Sequence, residues 1–157
     1  MTVIIDSREK KCAHIKEWFD EHGIKYVVRK LDEGDYQIEG RPGVTVDRKQ
    51  DLSELSHNLM NKSDHSRFWQ EIRRAKANKE KLFILVEHGS NVKSVEDVAL
   101  WRDKYSGVNG RTLVDEISTL YLSYGVQFVF CDKRQTAKKI LELLINNQYE
   151  QQQFLLE

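Results

Sequence analysis

The stretch Val44-Thr45-Val46-Asp47-Arg48-Lys49 most constrains what this chain can fold into. Its first three residues are β-branched strand formers. The strand then runs directly into an acid and two bases. A strand whose only task is packing would bury apolar groups there. The charges point instead to a strand end that opens on a crevice. Asp47 and Lys49 are two apart, so both side chains leave one face of the strand. Just upstream, Gly34-Asp35-Tyr36 leads into a partner strand, and Gly40-Arg41-Pro42-Gly43 reads as the turn between the two.

Around this hairpin, strand and helix patterns alternate. Residues 3–5 predict a buried strand ending in Asp6-Ser7-Arg8-Glu9. Residues 10–22 read as a helix stopped by Gly23, and 25–30 as a second strand. The hairpin strands are expected over 36–39 and 44–48. Helices are expected over 51–60 and 66–78, with Ser63 or Asp64 as N-cap of the latter. Residues 82–86 form an apolar run of strand length followed by Glu87. A short helix over 95–101, a loop over 106–111, a helix capped by Thr112 and running to 123, a strand over 126–130 and a helix over 136–145 complete the pattern. The expected architecture is α/β, with a mixed central β-sheet flanked by helices. One domain over 1–148 is expected, with a tail over 149–157. In that tail Phe154-Leu155-Leu156 is apolar, a candidate to dock on its own domain or on a partner.

Composition excludes several classes. With 39% hydrophobic and 32% charged residues, the chain is globular rather than disordered. No apolar run approaches the roughly 20 residues of a membrane helix. The strand at residues 3–5 predicts no signal peptide. Cys12 and Cys131 lack zinc or redox spacing, which predicts a reducing, intracellular and cytoplasmic setting. The five histidines show no metal-ligand spacing. Lys+Arg 25 balances Asp+Glu 25, so any nucleic-acid contact must come from locally concentrated charge. Arg67, Arg73, Arg74, Lys76, Lys79 and Lys81 form such a concentration, against Glu71 and Glu80. It reads equally well as a phosphate-binding patch or as a solvated helix face.

Asp6, Asp35, Asp47 and Glu87 all stand at strand ends. Oxygen donors of this kind suit Mg²⁺ or Mn²⁺. Carboxylates beside an ammonium are what metal-assisted phosphodiester hydrolysis uses. On Asp-x-Lys alone, a surface hairpin with solvated salt bridges is the stronger reading.

Taken in order, Ile4-Ile5-Asp6-Ser7-Arg8-Glu9, Gly34-Asp35-Tyr36, Val46-Asp47-Arg48-Lys49, Arg67 with Gln70, and Leu85-Val86-Glu87 resemble the XPF-type structure-specific endonucleases. That family's signature is Gly-Asp, a spacer, then Glu-Arg-Lys-x-x-x-Asp. The resemblance implies a restriction-endonuclease-like core that uses Mg²⁺, with Mn²⁺ substituting. It implies cleavage of branched, flapped or single-strand/double-strand junction DNA in repair or recombination. Asp6, Asp35 and Asp47 would form the acidic, metal-holding centre, with Lys49 the catalytic lysine. Arg48 and Arg67 would contact phosphate or brace the acids. Arg8, Arg73, Arg74 and Lys76 are further expected DNA contacts, and Glu9 and Glu87 outer carboxylates. The chain departs from the pattern at three positions. Asp47 replaces Glu, Glu71 stands where the helix motif has Gln, and Ser53 replaces the last Asp, flanked by Asp51 and Glu54 as candidate substitutes. Too few residues follow Ile145 for the tandem helix-hairpin-helix module, so duplex grip is expected from this domain, a second subunit or another protein. The helices over 112–123 and 136–145 resemble the segments through which such domains pair, which implies a homodimer or a heteromeric nuclease partner. Two rivals remain: a non-catalytic DNA-binding or scaffolding subunit, and a restriction-type nuclease acting on ordinary duplex.

Overall fold

A computed structural model describes residues 1–63, 66–89 and 91–146. In chain order its elements are β1 (Thr2–Asp6), α1 (Ala13–Glu21), β2 (Lys25–Arg29), β3 (Tyr36–Ile38), β4 (Arg41–Lys49), α2 (Leu52–Met60), α3 (Arg67–Ala77), β5 (Lys81–Glu87), α4 (Val95–Val98), α5 (Gly110–Tyr124), β6 (Gln127–Cys131) and α6 (Thr136–Asn146). The strands form one sheet in the order β2-β1-β3-β4-β5-β6. β1 and β2 are parallel, as are β4, β5 and β6, while β3 runs antiparallel to both β1 and β4. This is the mixed, helix-flanked sheet that the alternation predicts.

The period of two along β4 sets the site. Asp47 pairs with Ile84 and Lys49 with Val86. Ile84 and Val86 belong to the core that packs under α2, α3 and α5 with Leu52, Leu55, Ile72 and Leu113. Val46 pairs with Phe83 and Arg48 with Leu85, whose core lies under α1 and α6 with Ile15, Phe19, Ile140 and Leu144. One strand therefore sends its aspartate and lysine into one layer and its arginine into the other.

Several local expectations are corrected. The hairpin turn is Glu39-Gly40, with Ile38 paired to Arg41 and Gly40 at φ 83°. β4 thus begins three residues before the expected strand. Pro42 is accommodated because pairing with β5 starts only at Val44, so no ladder bond needs its missing N–H. α1 starts at Ala13, not residue 10, because Lys11 takes a left-handed backbone at φ 52°. Ser66 caps α3, in place of Ser63 or Asp64, and Asn109 caps α5 by accepting from Thr112 N at 3.0 Å, in place of Thr112 itself. The tail over 149–157 lies outside the described residues.

Candidate active site

At the C-terminal end of β4 a cleft of about 900 Å³ opens, lined among others by Asp35, Asp47, Lys49, Arg67 and Glu71. Gly34 is what brings Asp35 into it. Its backbone sits at φ 69°, and a Cβ there would collide with Thr45 Oγ1 and lie 3.0 Å from the Val46 carbonyl oxygen. The glycine lets the chain lie flat against β4. Asp35 N then donates to Val46 O at 2.8 Å, and Asp35 Oδ2 accepts from Arg48 N at 2.8 Å.

On β4, the Lys49 ammonium pairs with Asp47 Oδ1 at 3.1 Å and lies 4.9 Å from the centre of the Phe68 ring. Both side chains are nearly buried. From α3, Glu71 Oε1 accepts from Gly34 N at 2.6 Å, and the Glu71 carboxyl lies close to that of Asp47. Burial first and then Asp47 hold both Asp35 and Glu71 well above the ordinary carboxylate range. Burial works to lower the Lys49 ammonium, but Asp47, Glu71 and Asp35 outweigh it and hold its pKa up.

Three acids thus face one ammonium, and the raised carboxyls mark negative charge that the chain leaves unbalanced. That donor set fits a hard divalent cation, which takes one or two carboxylates and keeps much of its water. Among the described residues, no group of three or more His, Cys, Asp or Glu side chains forms a ready-made cage.

The remaining expected site residues divide sharply. Asp6 lines the cleft, but its oxygens are engaged by Leu31 N at 2.8 Å and by Arg8 Nε at 3.0 Å and Nη2 at 3.3 Å, so it braces the loop before β3. Arg48 and Glu9 also line the cleft, but the Arg48 guanidinium is committed to partners other than Asp35, Asp47 and Glu71. It reaches Glu9 Oε2 at 2.9 Å, Glu87 Oε1 at 3.3 Å and Lys10 O at 2.6 Å, with a side chain only 1% exposed. Glu87 in turn accepts from Thr136 Oγ1 at 2.6 Å and lies 2.8 Å from His14 Nε2. Arg48, Glu9 and Glu87 are therefore a buried brace beneath the sheet. Of the two substitutes for the missing acid, Glu54 lines the cleft, while Asp51 is the α2 N-cap and accepts from Glu54 N at 2.8 Å. Ser53 turns elsewhere and donates to Asp103 Oδ1 at 3.2 Å.

The basic patch on α3 splits as well. Arg67, Gln70, Glu71, Arg74 and Asn78 line the cleft. Arg74 is tied to Glu33 at 3.2 Å, and Arg8, on the opposite rim, is half-exposed. Lys76 donates to Ser123 O at 2.7 Å and lies over the Tyr124 ring, so it faces α5. Arg73 is exposed outside the cleft lining. Glu71 is the residue that sequence reasoning left out of the acidic centre. The signal for it was a polar stripe on α3 at i, i+3, i+4, i+7 and i+11, opposite the buried stripe of Phe68, Ile72 and Ala75.

A mixed sheet with acids and a lysine gathered at the mouth of a central strand is a restriction-endonuclease-like nuclease core. Residues 5–144 match the ERCC4 domain, and the chain belongs to that family of structure-specific nucleases. Its fold is similar to that of XPF from Aeropyrum pernix, with a TM-score of 0.69, 24% identity, and coverage of 94% of this chain and 65% of that one. Identity at that level shows the fold alone, and this chain spans about two-thirds of that protein's length. No curated protein sequence matches it.

Proposed function

We propose that the chain is a metal-dependent DNA endonuclease that hydrolyses phosphodiesters at branched, flapped or single-strand/double-strand junctions, in repair or recombination. The observation that carries this reading is the convergence of Asp35, Asp47, Glu71 and Lys49 in one cleft. Asp35 and Asp47 would hold Mg²⁺, with Mn²⁺ able to substitute. A bound cation polarises the phosphate and acidifies an attacking water. Lys49, fixed by Asp47, orients that water and offsets charge developing on phosphorus. Glu71 keeps the Gly34–Asp35 segment and Asp47 in register. Arg67 and Arg8 on the rim neutralise flanking phosphates. Asp6 and the Arg48–Glu9–Glu87 brace keep the strand ends in place around the cleft.

A homodimer or a heteromeric nuclease pair belongs to the same reading, with Leu122 on α5 and Ile145 on α6 as exposed apolar contacts. Sedimentation as a monomer at micromolar concentration would remove it. A reducing cytoplasmic location also belongs here, since Cys12 and Cys131 are both free and buried. The test is cleavage of a flap, fork, Holliday and linear panel with Mg²⁺, Mn²⁺ or EDTA. Cleavage of junctions that EDTA stops is expected. EDTA-insensitive retardation without cleavage would leave a non-catalytic DNA-binding subunit instead.

A further inference from the structure

Beyond the cleft, residues 100–109 form a loop before α5 that buries its only acid and exposes its aromatic tip. Leu100 is 91% exposed and Tyr105 80% exposed. Beneath them, the Asp103 carboxylate accepts from Ser106 Oγ at 2.6 Å, Tyr105 N at 3.1 Å and Ser53 Oγ at 3.2 Å. Two backbone bonds close the tip: Asp103 N to Val108 O at 2.8 Å, and Gly107 N to Asp103 O at 3.0 Å. A further bond at the base joins Gly110 N to Trp101 O at 2.6 Å. A Cβ on Gly110 would collide with the Val98 carbonyl, so the two ends of the loop pack backbone to backbone.

The backbone of the tip is thus held in one shape, and the Tyr105 ring stands out from it. Single exposed apolar residues are common and need no explanation. Here the ring stands on a braced backbone in a stretch rich in cations. Lys104 Nζ lies over the Tyr105 ring, 5.1 Å from its centre, and Arg102 in the loop and Arg111 in the first turn of α5 are exposed. With Asp103 buried and bonded, the outward charge of this stretch is positive. An exposed aromatic ring among cations matches an unpaired base and its phosphates. The loop is also tied to the cleft. Ser53 lies in the first turn of α2, next to Glu54, which lines it.

We propose that this loop is a second nucleic-acid contact, on which Tyr105 stacks an unpaired base while Arg102, Lys104 and Arg111 meet the adjoining phosphates. The proposal rests on the nuclease reading above. It assigns the single-stranded arm of a junction to the loop and the duplex to the cleft.

The test uses the full chain in EDTA, with a fork carrying 2-aminopurine in its single-stranded arm. The unmodified chain is expected to quench that fluorescence by stacking. Tyr105→Ala should lose the quench and bind the arm roughly 5- to 160-fold more weakly, the range for loss of one base–aromatic stack. Tyr105→Phe should keep both, and duplex affinity should not move. Arg102→Ala with Lys104→Ala should flatten the salt dependence of single-strand binding by about 0.7 per cation. Unchanged quench and affinity in Tyr105→Ala overturn the proposal, and if junction cleavage persists they leave the nuclease reading standing. A changed sedimentation coefficient with unchanged DNA binding makes the loop a protein contact and overturns it too. Failure of the unmodified chain to bind any DNA overturns both readings.

Discussion

Glu71→Gln should make the metal-free protein more stable at alkaline pH. In the folded chain burial, and then Asp47, hold Glu71 and Asp35 well above the ordinary carboxylate range. In the unfolded chain both ionise at about pH 4. Above that pH the native state still holds protons that the unfolded state has released, so stability falls as pH rises through the folded pKa values. This is the reverse of a salt-bridged acid such as Asp132, whose pKa is lowered by the bond from Arg134. Each unit of upward displacement removes about 1.4 kcal/mol once the pH is above both values. Glutamine at 71 removes one of three clustered charges. Its amide oxygen still accepts from Gly34 N, now bonded at 2.6 Å, and its amide N–H can donate to Asp47. The gain at alkaline pH is about 1.4 kcal/mol for each unit of Glu71 displacement that the variant removes, shrinking towards zero near pH 4. Glu71→Ala also removes the charge but strands the Gly34 N–H, so it should sit about 1.5–3 kcal/mol below the glutamine variant. Urea unfolding in EDTA across this range gives the difference curve between variant and parent, which cancels the titrating groups that do not interact with Glu71. A glutamine variant no more stable than its parent at alkaline pH would refute the electrostatic account of the cleft.

Three further outcomes are expected. Arg48→Met should lower stability by about 3–5 kcal/mol with an unchanged urea m-value, because Glu9 and Glu87 lose their buried partner; an unaffected midpoint would mean the guanidinium is not beneath the sheet. Gly34→Ala should cost at least about 1–3 kcal/mol in thermal melts, from left-handed strain at φ 69° and the collision with Thr45; a neutral result would contradict the close approach of the two strands. Arg67→Ala should flatten the salt dependence of duplex binding by about 0.9, while Lys76→Ala should leave it alone, being held by Ser123 O at 2.7 Å; equal effects would undo the division of the α3 patch.

The alternation of elements, the two-residue period of β4 and the glycine before Asp35 were readable because each is a local rule. Hydrophobic stripes placed α3, α5 and α6, and the pairing of Asp47 with Lys49 followed from strand geometry. The hairpin turn was misplaced because Gly40-Arg41-Pro42-Gly43 carries turn chemistry, and only the late start of β5 pairing shows that Pro42 sits safely in a strand. Arg48 was expected to contact phosphate or to brace the acids, and its parity decides which acids it can brace. Being one residue from Asp47, it had to leave the opposite face, where Glu9 and Glu87 wait. Asp6 looked equivalent to Asp35 by position. What sets Asp6 apart is Leu31 N, contributed from 25 residues away, which with Arg8 holds its carboxylate. Glu71 was hidden for a related reason. Its neighbours Gly34 and Asp47 join a helix to the loop before β3 and to β4, and no spacing rule within one element predicts such contacts. Ser53 shows the same limit, since its partner Asp103 is 50 residues distant.

The central claim is that Asp47 and Lys49 form the working centre of a metal-dependent nuclease. Single-turnover cleavage of a fork in Mg²⁺, paired with binding to the same fork in EDTA, tests it most directly. For Asp47→Asn and Lys49→Ala the account predicts loss of cleavage with binding essentially retained. Cleavage surviving in both variants, in preparations free of contaminating nuclease, would contradict it.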